Sequence, residues 1–117
     1  MLEQIKLLIQ LGANINQRDK NERTALMIAA SLGRVNSLEC LIKFKAKLNG
    51  YDKFGWTPLM LAIYYNQKEV VYVLLASGAD VNLNTKKGLT ALKVAIDNER
   101  ASLIPILKDF GAVFPKE

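Results

Sequence analysis

The chain has 117 residues, 50% of them apolar and 23% charged, a balance that folds rather than one that stays disordered. Its single cysteine excludes an intrachain disulfide, and the absence of histidine removes every His-based general base, nucleophile pair and metal site. The net charge of +5 favours acidic partners but falls short of the dense basic patch that nucleic-acid binding requires.

The chain opens on Leu2, Ile5, Leu8 and Ile9, apolar positions at helical spacing. This start has neither the basic stretch nor the small-residue cleavage site of a signal peptide. No apolar run approaches the roughly 18 residues a membrane span needs, so a cytoplasmic protein is expected, with the nucleus or a host cytosol also open. From here on the sequence repeats itself. Thr24, Thr57 and Thr90 lie 33 apart, as do Leu26, Leu59 and Leu92, Ala29, Ala62 and Ala95, and Asn16, Asn49 and Asn82. Leu8, Leu41, Leu74 and Leu107 give four copies, as do Ala13, Ala46, Ala79 and Ala112, each alanine followed two places on by Ile15, Leu48, Val81 or Phe114. A fixed period of this length is the mark of stacked supersecondary units.

The clearest copy begins with Asp52-Lys53-Phe54-Gly55-Trp56, a turn by its Asp and Gly. Thr57 is placed to cap a helix and Pro58 suits its first position, so a helix of about two turns runs to Asn66. A second helix runs from Lys68 to Ala76 and stops at Ser77-Gly78, with Gly78 in a left-handed C-cap. Ala79-Asp80-Val81-Asn82 leads out, extended, to the next turn. Neither helix reaches the roughly 12–15 residues that stand alone in water, and each is apolar on more than one side. Stability must therefore come from stacking. In the last copy Pro105 falls within a second helix, tolerable only in a first turn, which puts that helix's start near Ser102.

Thr57-Pro58-Leu59-Met60-Leu61-Ala62 and Gly78-Ala79-Asp80-Val81-Asn82 resemble the signature and closing segments of the ankyrin repeat family, and the resemblance runs through essentially the whole chain. It implies an all-α solenoid of helix-turn-helix pairs linked by hairpin-like turns. The expected organisation is one domain over 1–117: a half repeat (1–17), two full repeats (18–50 and 51–83) and a polar capping repeat (84–117). Several positions depart from the family pattern. Its histidine, which bonds between repeats, is replaced by Met27, Met60 and Lys93, implying the loss of that network. Glycine columns hold Glu22, Lys45, Asn66 and Glu99, strained wherever the backbone is left-handed. The missing first helix of the half repeat leaves one apolar flank thinly covered. A partner, or self-association through the N-terminal helix, could use it.

Little in the chain suggests catalysis: the carboxylates are scattered, and Cys40 occupies a core-like column and reads as a buried thiol. No enzyme activity, cofactor or metal is expected. Carried onto this sequence, the family's contact positions form three rows: Lys20, Asn21, Arg23, Ser31 and Leu32; Lys53, Phe54, Trp56, Tyr64 and Tyr65; and Lys86, Lys87, Leu89, Asp97 and Asn98. Four aromatics ringed by lysines, on a concave face, imply a scaffold that binds a protein or peptide with an apolar anchor and acidic flanks. The bland alternative folds Phe54 and Trp56 down against neighbouring turns and packs the tyrosines between repeats. A regulatory or targeting segment of a larger enzyme or effector is the second functional reading, and stacking on single-stranded nucleic acid the third. The closing-segment asparagines Asn16, Asn49 and Asn82 are expected to hydrogen-bond turn backbone.

Overall fold

The three threonines of the 33-residue period set where the first helices begin. In a computed structural model that describes residues 2–113, Thr24, Thr57 and Thr90 each accept, through the side-chain oxygen, the N–H three residues on. The helices that follow are α2 (Ala25–Leu32), α4 (Pro58–Tyr64) and α6 (Ala91–Asp97). Each is followed by a second helix: α3 (Val35–Lys43), α5 (Lys68–Ala76) and α7 (Ile104–Asp109). Ahead of these pairs stands α1 (Leu2–Gln10), which takes the place of a second helix and packs against α3. Phe114, the last member of its column, lies outside the described residues. The first helices pack in the order α2, α4, α6 and the second helices in the order α1, α3, α5, with α7 packed against α6. The result is elongated, 47 × 25 × 20 Å, as stacking demands. One isolated bridge between Asn84 and Thr90 is the only extended pairing among the described residues.

The core is a single apolar seam running the length of the stack, from Leu26 and Leu38 through Leu59, Ile63 and Leu74 to Leu92 and Leu107. Met27 and Met60, at the expected histidine column, are fully buried, whereas Lys93 is exposed. Polar links between repeats are nevertheless plentiful, and they come from other columns. The side-chain oxygen of Asn16 accepts the N–H of Lys47 at 2.9 Å, Asn49 that of Asp80 at 2.9 Å, and Asn82 that of Val113 at 3.2 Å. The asparagines therefore bond backbone not of a turn but of the closing segment of the next repeat, 31 residues away. Beside the first helices, Gln67 Nε2 donates to Ser31 O at 3.1 Å, and Arg100 donates to Ile63 O at 3.2 Å and Tyr64 O at 2.6 Å. Ser31 O and Tyr64 O are carbonyls that a helix end leaves open, while Ile63 O also accepts the Asn66 N–H at 3.0 Å.

The last helix departs slightly from expectation. A 3-10 turn (Ala101–Leu103) precedes α7, which starts at Ile104 rather than Ser102. Pro105 is then its second residue, where a missing N–H breaks no helical bond. Backbone strain is confined to the glycine columns. Glu22, Lys45, Asn66 and Glu99 all keep the left-handed backbone, with φ of 60°, 70°, 57° and 56°. Gly33 is different: a Cβ there would lie 2.5 Å from Gln67 Oε1, in the path of the side chain that reaches Ser31.

Lys45→Gly should therefore stabilise the fold by about 1 kcal/mol, since the exposed lysine has only its left-handed backbone to lose. Urea unfolding would show the midpoint rise with an unchanged slope.

Candidate functional site

Asp52 builds the middle turn. It is only 2% exposed. Its Oδ1 accepts the N–H of Phe54 at 2.9 Å and of Trp56 at 3.0 Å, and its Oδ2 lies 3.4 Å from Arg23 Nε in the preceding turn. The backbone closes the same loop, with Asp52 N–H donating to Trp56 O and Gly55 N–H to Asp52 O. Gly55 is required twice over: its φ is 83°, and a Cβ would press to 3.3 Å from Thr85 Cβ in the following turn. The turns are also tied directly. Lys53 N–H donates to Asn21 O, and Arg18 Nη1 donates to Tyr51 O at 2.6 Å while its guanidinium stands 5.8 Å from the Tyr51 ring centre.

The first and third turns use weaker versions of this device. Asp19 Oδ1 accepts the N–H groups of Arg23 at 3.0 Å and Asn21 at 2.9 Å. These bonds, Arg23's above all, hold the Asp19 carboxyl below its ordinary value of 3.8. In the third turn Thr85 stands in for the aspartate, its hydroxyl accepting the Leu89 N–H at 3.2 Å.

With the turns fixed, their side chains are sorted. Phe54 projects and is 66% exposed, with Lys53 Nζ 5.4 Å from its ring centre. Trp56 is half-buried and packs against the core rather than against a neighbouring turn. Its ring meets Tyr64 edge-on, with centres 5.5 Å apart, and Tyr64 meets Tyr65 in the same way at 5.0 Å. Both tyrosines remain exposed, giving a continuous aromatic surface from the turn onto α4.

Between the middle and third turns lies a hollow of about 910 Å³. Lys53, Phe54, Trp56, Lys86, Lys87 and Leu89 line it, drawn from two of the expected rows. Lys20 and Leu32 are exposed but do not line it, and Arg23 stands outside it, bound to Asp52. Tyr51 and Leu83 line it without having been anticipated. Tyr51 had a readable signal: its column otherwise holds Arg18 and Asn84, both polar. Three lysines face Glu22 and Asp52 across the hollow, and Asp52 already has Arg23 as its cation, so the rim is cationic. Cys40 is buried on α3, away from this surface, as its column implied.

A family model described as ankyrin repeats matches residues 1–85, in three copies. The α6–α7 pair beyond the match keeps the same register, with Thr90 capping as Thr24 and Thr57 do. No curated protein matches the chain. No described helix is long and apolar enough to cross a membrane.

Asp52→Ala is expected to cost about 2 kcal/mol, because two N–H groups and a guanidinium lose one buried acceptor. Asp19→Ala, at an exposed site, should cost less in the same urea titration. Asp19 also sets a pH dependence. Its folded carboxyl ionises at a lower pH than the unfolded one, so its contribution is present above pH 3.8 and is lost as acid protonates the folded form. Asp19→Asn should flatten that acid limb of the stability curve.

Proposed function

The chain belongs to the ankyrin repeat family, whose members are generally protein-interaction modules, and from that premise we propose that it is a non-enzymatic binding module whose contact surface is the aromatic and lysine-lined turn face. The observation that carries this reading is Phe54, a large apolar side chain held out in solvent by a turn in which every backbone N–H from Asp52 to Trp56 is hydrogen-bonded. A folded turn has no structural need of such a residue, and a rigid aromatic loses little entropy on docking. Tyr51, Trp56, Tyr64 and Tyr65 extend the apolar contact, and Lys53, Lys86 and Lys87 surround it. The partner is a protein segment with an apolar anchor and acidic flanks. Aromatic anchors set the lifetime of the complex, and the lysines set its rate of formation.

The test is a pull-down from source lysate, followed by kinetics on the captured protein. Phe54→Ala/Trp56→Ala should weaken binding about 30-fold or more, mainly through faster dissociation. Lys86→Glu/Lys87→Glu should slow association about tenfold at low salt and leave dissociation nearly unchanged. Circular dichroism establishes that both variants are folded. A folded aromatic variant that binds like the wild type would refute the site.

A further inference from the structure

Six of the seven glycines take a left-handed backbone, with φ between 72° and 100°. Gly50 does not. Nor does space demand a glycine there: a Cβ would stand 3.6 Å from Met27 Cε and 3.8 Å from Arg18 Nη2, which is ordinary contact. The same column holds Gln17 and Leu83 in the neighbouring repeats. The fold therefore gives no reason for a glycine at this position. What the glycine does change is the reactivity of the residue before it, Asn49, in the chain's one Asn-Gly pair.

An asparagine followed by a residue without a Cβ is open to attack on its carboxamide by the next backbone nitrogen. Three features of the fold favour that attack at Asn49. The Gly50 N–H meets no acceptor among the described residues, so its nitrogen is uncommitted. Asn49 is exposed, and Asp80 N–H donates to its Oδ1 at 2.9 Å. That donor polarises the carboxamide and stabilises the oxyanion that forms on attack. Arg18, whose Nη1 donates to Tyr51 O at 2.6 Å, puts a cation beside Gly50 and favours the deprotonated nitrogen. The other two asparagines of the column lack this combination. After Asn16, Gln17 carries a side chain, and its N–H is bound to Asn14 O at 3.1 Å. After Asn82, Leu83 carries a side chain, and Asn82 Nδ2, the group that would depart, is tied to Gly111 O at 3.0 Å.

We propose that Asn49 is a site of spontaneous deamidation, and that one of its products loosens the link between the α2–α3 and α4–α5 repeats. The Gly50 nitrogen gives up its proton and bonds to Asn49 Cγ. The Cγ–Nδ2 bond breaks, and ammonia leaves with the proton. Water then opens the resulting cyclic imide. Opening at Cγ gives aspartate on the original backbone. Opening at the α-carbonyl gives isoaspartate, in which the chain runs through Cγ. One water enters and one ammonia leaves, with no change of oxidation state. Aspartate keeps an acceptor for the Asp80 N–H. Isoaspartate makes the Cγ carbonyl part of a lengthened backbone and draws it away from that amide. The reaction needs no partner and stands independently of the turn surface.

The test ages the purified chain in warm, mildly alkaline buffer, folded and in strong urea, and follows each asparagine by peptide-mapping mass spectrometry. In the folded chain Asn49 should deamidate about tenfold or more faster than Asn16 and Asn82, at a rate within about tenfold of its own in urea. Gly50→Ala, which the fold accommodates, should slow the reaction about tenfold. A folded chain that protects Asn49 by more than that margin, or a Gly50→Ala rate equal to wild type, overturns the proposal. The isoaspartyl fraction, separated by chromatography, should exchange its Asp80 amide about tenfold faster than fresh chain, while Asn49→Asp keeps it protected. Equal exchange in the isoaspartyl and fresh chains would overturn the loosened link.

Discussion

No helix among the described residues exceeds nine residues, and none can bury its apolar faces alone. Everything else follows from the need to stack. Apolar burial drives the stacking, but burial is non-directional and would tolerate a helix sliding along its neighbour. Register comes from hydrogen bonds that cross from one repeat to the next. On one side, Asn16, Asn49 and Asn82 each hold an amide of the following repeat. On the other, Gln67 and Arg100 seal the helix ends of the preceding repeat. At the family's histidine column Met27 and Met60 are buried and Lys93 is exposed, and the asparagine and Gln67/Arg100 columns provide the directional links between repeats.

The turn surface inherits its order from this register. Asp52 binds its own loop with one oxygen and the preceding repeat's Arg23 with the other, so a single carboxylate both shapes a turn and sets its distance from the turn before it. Gly55 lets the third turn come close enough to enclose a hollow. Phe54, Lys86 and Lys87 are consequently displayed at fixed spacing. A partner that docks there meets a surface already in its bound shape, which is the economy that repeat scaffolds offer.

The period made the stack legible before any coordinates. The threonine caps, the proline at the start of α4, the left-handed columns and the buried Cys40 all follow from comparing one repeat with the next. The sorting of the turn side chains was less visible. Nothing local distinguishes Arg23, committed to Asp52, from Lys53, free to face a partner; the difference lies in an acceptor 29 residues away. Trp56 and Phe54 are neighbours in one turn, yet one leans on the core and the other stands in solvent. The Gln67 and Arg100 column is hard to see in the sequence because one is an amide and the other a guanidinium. Their shared role appears only once helix ends are seen side by side. Tyr51 was overlooked because it precedes the turn proper.

Coupling between repeats through side-chain acceptors is most directly tested at the Asp80 amide. Asp80 is an exposed residue whose N–H is held by Asn49 alone among the described residues. Native-state hydrogen exchange at graded urea measures how that amide opens. It should open with the same free energy and denaturant dependence as the amides inside α4, because breaking the Asn49 bond requires the repeats to separate. Fast exchange of Asp80 by local fluctuation, while α4 remains protected, would contradict a stack whose register depends on these bonds.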